Sequence, residues 1–158
     1  MAKNELGRTD KGQSGKTLAT GERAGAVWTY DEAENIIFAV HPTPVNLNTR
    51  ADIIAYFDGG ISFWRRHCKG KRAFIVVDYA NLNSNLDEMD FYAAQIKRVI
   101  EECAITIVRY NGSMLQRMAS RMTAIKLHTP SNTYASREEA LAVVRGLTRG
   151  TIQSAPPH

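Results

Sequence analysis

Asp78, Tyr79, Asn81, Asn83, Ser84 and Asp87 bring two carboxylates, a phenol, two amides and a hydroxyl into one short polar stretch. Groups of these types can cap a helix, take a phosphate or grip the surface of a partner. Ser84 carries the sharpest choice. In Ser84-Asn85-Leu86-Asp87 it has the spacing of a capping box, with Asp where Glu is commoner. As an N-cap it serves structure alone. As a phosphate acceptor at a helix start it gains about 0.3–1 kcal/mol from the helix dipole. Asp87, Glu88 and Asp90, one turn on, oppose that gain by repulsion. The second chemical segment is basic: Arg65, Arg66, Lys69, Lys71 and Arg72, interrupted by His67-Cys68 and Gly70. These cations either suit the C-terminus of a helix and the turn after it or form a surface for anions or lipid headgroups.

Other chemistries find no support in the spacing. Gly15-Lys16-Thr17 matches the end of a phosphate-binding loop, but Asp10 stands where that loop needs its first Gly, and no strand precedes it. The four histidines are His41, His67, His128 and His158; His41 and His128 could meet if both end strands on one rim, but no acid or Cys is placed with that pair. Asp78 at a strand end has the position of a receiver-domain phosphoacceptor. That chemistry needs an acidic pair after an earlier strand and a Lys-Pro pair after a later one. Val40-His41-Pro42 and Lys126-Leu127 supply neither. Cys68 and Cys103 lack metal-type spacing and read as buried free thiols. The expectation is a non-enzymatic protein with no catalytic residues, no metal and no cofactor.

The chain has 158 residues, a 44% hydrophobic fraction and a formal charge of +4. That is enough for one domain with a core. The mild excess of base permits contact with anions without requiring nucleic acid, and no specific nucleic-acid partner is expected. No window approaches about 18 uninterrupted apolar residues, so no transmembrane segment is expected. Met1-Ala2-Lys3-Asn4-Glu5-Leu6 lacks the apolar stretch of a secretory signal. Together these readings predict a cytoplasmic protein.

The chemistry-bearing stretch must be positioned by what precedes it. Residues 73–78, Ala-Phe-Ile-Val-Val-Asp, form a continuous apolar run that Asp78 stops, which predicts a strand buried on both faces. Residues 1–25 are rich in Gly, Lys, Thr and Ser and predict a disordered basic arm. A hairpin follows, from strands 27–30 and 35–40 joined by an acidic turn. Residues 46–49 read as a loop. A helix spans 50–67 behind Thr49, with Gly59-Gly60 marking a kink or a close approach to the sheet. A second helix spans 85–102, a strand 104–109, and a short helix 113–121 whose Met114, Met118 and Met122 read as core filler. A last short strand is predicted at 124–128, a loop at 129–134, and a helix to about 147 behind Ser136. Residues 26–149 form the domain and 150–158 a flexible tail. After the hairpin, strands alternate with helices. That pattern predicts an α/β fold with a mostly parallel mixed sheet and helices packed against it.

Three places in this order resemble the STAS domain, the fold of anti-sigma factor antagonists of the SpoIIAA type. They are the strand ending at Asp78 with Ser84 at the following helix start, the strand 105–108 leading into Leu115-Gln116-Arg117-Met118, and Ile125-Lys126-Leu127 before Ser136-Arg137-Glu138-Glu139-Ala140-Leu141. The resemblance covers roughly residues 27–149. It implies a bacterial signalling module that works by protein–protein contact. Its partner would be a serine kinase that doubles as an anti-sigma factor, and phosphorylation of Ser84 would break the complex. Asp78, Tyr79, Asn81, Asn83, Ser84 and Asp87 would then form the partner surface. The family motif Asp-Ser-x-Gly has Asp where this chain has Asn83 and Gly where it has Leu86. The alternative is a lipid- or anion-binding protein of the same fold that uses the basic segment 65–72.

Overall fold

The computed structural model describes residues 18–150. An antiparallel meander opens the fold: β1 (Leu18–Arg23), β2 (Ala26–Asp31) and β3 (Ile36–Val40). Then come β4 (Val45–Leu47), α1 (Arg50–His67), β5 (Ala73–Asp78), β6 (Leu82–Ser84), a 3-10 turn (Leu86–Glu88), α2 (Met89–Glu102) and β7 (Ala104–Tyr110). The chain closes with α3 (Met114–Leu127), β8 (Thr133–Tyr134) and α4 (Arg137–Thr148). The main sheet runs β1-β2-β3-β5-β7-β8, and β3, β5, β7 and β8 are mutually parallel. β4 and β6 pair parallel as a separate two-stranded sheet. This is the expected α/β architecture, an N-terminal hairpin feeding a mostly parallel sheet, and it is consistent with a STAS-like description.

β5 lies between β3 and β7 and is buried on both faces, as its apolar run requires. Side chains alternate along it. Ala73, Ile75 and Val77 join the larger core, against Tyr56, Phe57 and Ile61 of α1 and Tyr92, Ile96 and Val99 of α2. Phe74 and Val76 face the other way, toward Ala140 and Val144 of α4. Gly60 allows the close approach expected at Gly59-Gly60. A Cβ there would sit 2.8 Å from the Trp28 ring.

The structure corrects the sequence reading in several places: residues 46–49, read as a loop, contribute to β4, the helix read from residue 85 starts at Met89 behind a 3-10 turn, and four further differences follow. First, β1 lies inside the stretch assigned to a disordered arm. Leu18-Ala19-Thr20-Gly21-Glu22-Arg23 lacks an alternating apolar pattern, but its backbone pairs with β2 from Leu18↔Asp31 to Arg23↔Ala26. Ala24 and Gly25, both at positive φ, make the two-residue turn. Residues 1–17, with Gly15-Lys16-Thr17, and the tail 151–158 lie outside the described residues. Second, residues 124–128 are not a strand. α3 continues to Leu127 and is closed by His128 in the left-handed conformation, whose N–H donates to the Ala124 and Ile125 carbonyls. A short apolar run without Gly or Pro suits either state, and Thr133–Tyr134, assigned to a loop, makes the last strand instead. Third, Ser84 is not a helix cap. It belongs to β6, and Asn85 caps the 3-10 turn by accepting from Asp87 N at 3.0 Å. Fourth, Met114, Met118 and Met122 are not core filler, because all three are exposed.

Thr49 and Ser113 form complete capping boxes with Asp52 and Gln116. Ser136 accepts from Glu139 N, while the Glu139 carboxylate accepts from Ala135 N rather than from the cap.

The Gly60–Trp28 contact yields a stability prediction. Gly60→Ala gains about 1 kcal/mol of helix propensity. It also forces a buried indole to move, which costs about 1–3 kcal/mol. The expected result is a lower urea midpoint with an unchanged slope. A raised midpoint would show that the ring yields freely.

Candidate functional site

The parallel strands β3, β5 and β7 end on one rim, and the polar stretch lies there. His41, directly after β3, is buried. Its Nδ1–H donates to the Asp78 carbonyl at 2.8 Å, and its Nε2 accepts from the Tyr56 hydroxyl at 2.9 Å. A carbonyl can only accept, so Nδ1 carries a proton, and in the neutral ring Nε2 is then the acceptor. Burial lowers its pKa, partly offset by the hydrogen bond and charge at Asp78. The His41 carbonyl accepts from Asn81 Nδ2 at 2.9 Å. Asp78 turns its carboxylate inward on the loop, where Oδ1 accepts from Ala80 N at 2.9 Å and Asn111 Nδ2 at 3.2 Å. Asn81 takes a positive φ, and its carbonyl accepts from Val45 N at 2.7 Å.

The six residues singled out from sequence therefore divide. Asp78, Tyr79 and Asn81 hold the loop in shape. Tyr79 is buried, with its hydroxyl 3.3 Å from Ser120 Oγ and its N–H donating to the Tyr110 carbonyl at 2.9 Å. Asn83 and Asp87 are exposed, and Asn83 donates to Asn46 Oδ1 at 3.0 Å across the β4–β6 pair. Ser84 is half-buried on the wall of a cavity of about 110 Å³.

That cavity is the main feature the sequence reading missed. β6 forms one wall, Met89 and Tyr92 of α2 another, and Gln116, Ala119, Ser120 and Thr123 of α3 a third. Leu86 and Leu115, both exposed, stand at its edge. Arg109 of β7 lines it from the buried side. Burial and neighbouring Tyr79 push the Tyr92 phenol well above its usual range, and the Arg109 guanidinium acts the other way. Arg109 had a signal: in Ala-Ile-Thr-Ile-Val-Arg-Tyr it shares the parity of core residue Ile107, so a cation was due to point inward.

α3 is turned inside out. Its buried residues are Ser120, Thr123 and Ala124. Its large apolar residues face outward: Met114 is 72% exposed, Met118 53%, Met122 51% and Ile125 67%. At spacings of four, four and three they fall on one stripe. Gln116 ties this helix to the loop, donating from Nε2 to the Tyr79 carbonyl at 3.1 Å and also to the Leu82 carbonyl.

The basic segment is partly committed to the fold. Arg65 pairs with Glu102 at 3.0 Å, and Arg72 donates to the Ala104 carbonyl at 2.7 Å and to the Ile100 carbonyl. Arg66, Lys69 and Lys71 are exposed. Cys68 and Cys103 are buried free thiols, and burial pushes them to about 11 and about 12. Among the described residues, no cluster of three or more His, Cys, Asp or Glu could hold a metal ion, and no helix is long and apolar enough to cross a membrane.

His41 makes stability depend on pH. Its folded pKa lies below the unfolded value of about 6.5, so the unfolded chain takes up the proton first. Its contribution is full above that value and is lost as pH falls toward the folded pKa. Urea midpoints of the wild type should decline from about pH 6.5 downward. In His41→Gln the midpoint is lower throughout, and its decline between about pH 6.5 and 5 is flatter. Parallel profiles would remove His41 as the cause.

No protein-family model, no curated protein and no solved structure matches this chain.

Proposed function

We propose that this protein is a non-enzymatic, regulatory protein–protein interaction module of STAS type that docks through the outward face of α3. The observation that carries the reading is the exposed stripe of Met114, Met118, Met122 and Ile125. Flexible, polarisable methionines on a surface suit adaptable apolar contact, and contiguous exposed apolar residues mark interaction sites more often than they occur by chance. Charge narrows the partner. α3 carries Arg117, Arg121 and Lys126 and no acid, and Arg117 and Arg121 are exposed. The complementary partner is a protein with an apolar face bordered by carboxylates.

Control by phosphorylation fits the same surface. Ser84 lines the cavity together with Leu86 and Leu115, and Leu115 adjoins Met114 of the stripe in sequence. A phosphate there adds about −1.5 to −2 charges next to an apolar docking face, with Asp87 and Glu88 close in sequence. Both effects weaken docking, which is the direction partner switching requires. In this reading the partner is the kinase and anti-sigma factor, and the protein works in the cytoplasm of a bacterium.

The test is affinity capture with wild type, Met118→Asp/Met122→Asp, Ser84→Ala and Ser84→Asp, followed by measured affinities for the identified partner. The stripe residues are exposed, so the double variant should keep its melting temperature within the range of surface changes, about ±0.5 kcal/mol each. The expected partner binds wild type and Ser84→Ala and carries an acidic border at its contact. It loses at least about tenfold in affinity for the double variant and for Ser84→Asp. Salt-sensitive binding to anionic vesicles, abolished by neutralising Arg66, Lys69 and Lys71, would replace this reading with the lipid-surface one.

A further inference from the structure

We infer that the cavity between β6, α2 and α3 is a binding site for a small monocarboxylate with a short apolar tail. It lies on the inner side of α3, opposite the exposed stripe, and rests on Arg109 and Thr123 rather than on the stripe residues. Arg109 is only 6% exposed and lines the cavity. Its Nη1 donates to the Ser131 carbonyl at 3.0 Å, and no carboxylate pairs with it among the described residues. A guanidinium taken out of water without a counter-charge is expensive to keep. It has five N–H donors in a planar fork, which matches a carboxylate edge-on.

A second group points to the same space. Thr123 is 4% exposed, lines the cavity, and its Oγ1 has no hydrogen-bond partner among the described residues. Buried hydroxyls without partners are rare in folded proteins. Ser120 adds another hydroxyl on the same wall. These groups supply donors for one anionic head.

Charge and lining set the ligand class. One cation balances one negative charge, which favours a carboxylate over a phosphate dianion. Leu82, Leu86, Met89, Ala119 and Leu115 give the remainder an apolar surface, the usual division of labour in a small-molecule site. The volume of about 110 Å³ corresponds to about eight water-sized positions, so a ligand of about eight heavy atoms fits. Hexanoate has that size and charge.

The test is calorimetric titration of the full chain with hexanoate, hexanol and inorganic phosphate. Hexanoate should bind saturably at one site, with hexanol at least about tenfold weaker and phosphate without measurable heat. Arg109→Met should weaken hexanoate by about thirtyfold or more. Its fold is checked by circular dichroism, and an apolar replacement of an unpaired buried charge tends to keep stability. Thr123→Val removes the hydroxyl at nearly constant shape and should weaken hexanoate about threefold to tenfold at an unchanged melting temperature. Should Arg109→Met fail to fold, hexanoate-induced NMR shifts in the wild type decide the matter. They should centre on Arg109 Nε–H and the Thr123 methyl. Equal binding of hexanol, preferential binding of phosphate, no saturable heat, undiminished binding in folded Arg109→Met or in Thr123→Val, or shifts centred elsewhere would each overturn the inference.

Discussion

The double burial of β5 is the constraint on which the rest depends. A strand with helices on both faces and paired neighbours on both edges has no place for a polar side chain until it ends. Polar chemistry therefore collects beyond Asp78. The backbone there still has donors and acceptors to satisfy. Asp78 accepts from Ala80 N and Asn111, the Asp78 carbonyl accepts a hydrogen bond from His41 Nδ1–H, and Asn81 reaches back to the His41 carbonyl. These residues are the sort that sequence reading flags as functional. Here three of the six, Asp78, Tyr79 and Asn81, are occupied in joining the ends of β3, β5 and β7.

Legibility followed the strength of the local physics. β2, β3, β5, α1 and α4 were readable because apolar period and cap residues agreed at Thr49 and Ser136. Elements that are short or carry little apolar signal were not. β1 has almost no apolar signal, and β4 and β6 are three residues each, stabilised by pairing with each other. Ser84 illustrates the limit. Its spacing to Asp87 satisfied a capping pattern, but Asn85 N donates to the Leu47 carbonyl at 3.2 Å and the cap moved one residue on. A long-range strand pair overrode a local motif, and no local reading contains that information.

α3 was misread for a related reason. Apolar residues at helical spacing normally mean a buried face, so the methionines were assigned to the core. The helix instead buries Ser120, Thr123 and Ala124. Its polar inner side, with Gln116, Ser120 and Thr123, meets a cavity rather than a packed core. The same fact leaves Arg109 facing hydroxyls, phenols and open space rather than an acid.

Such a helix cannot be held mainly by hydrophobic burial. Dispersion and transfer terms scale with apolar area removed from water, and most of the large apolar area of α3 remains outside. Beyond buried Ala124 and Leu127, which packs on the main core, its attachment falls to directed contacts: Gln116 on the Tyr79 and Leu82 carbonyls, Tyr79 on Ser120, and the Lys126–Asp90 pair with α2. Hydrogen bonds of this kind contribute about 1 kcal/mol each net, and exposed ion pairs less. Elements held this way lie at the low end of local stability, the range from which moving and binding surfaces are drawn. The helix that lines the cavity on one side and exposes the stripe on the other is thus also the one most weakly fixed by packing. Whatever occupies either side acts on the same few contacts.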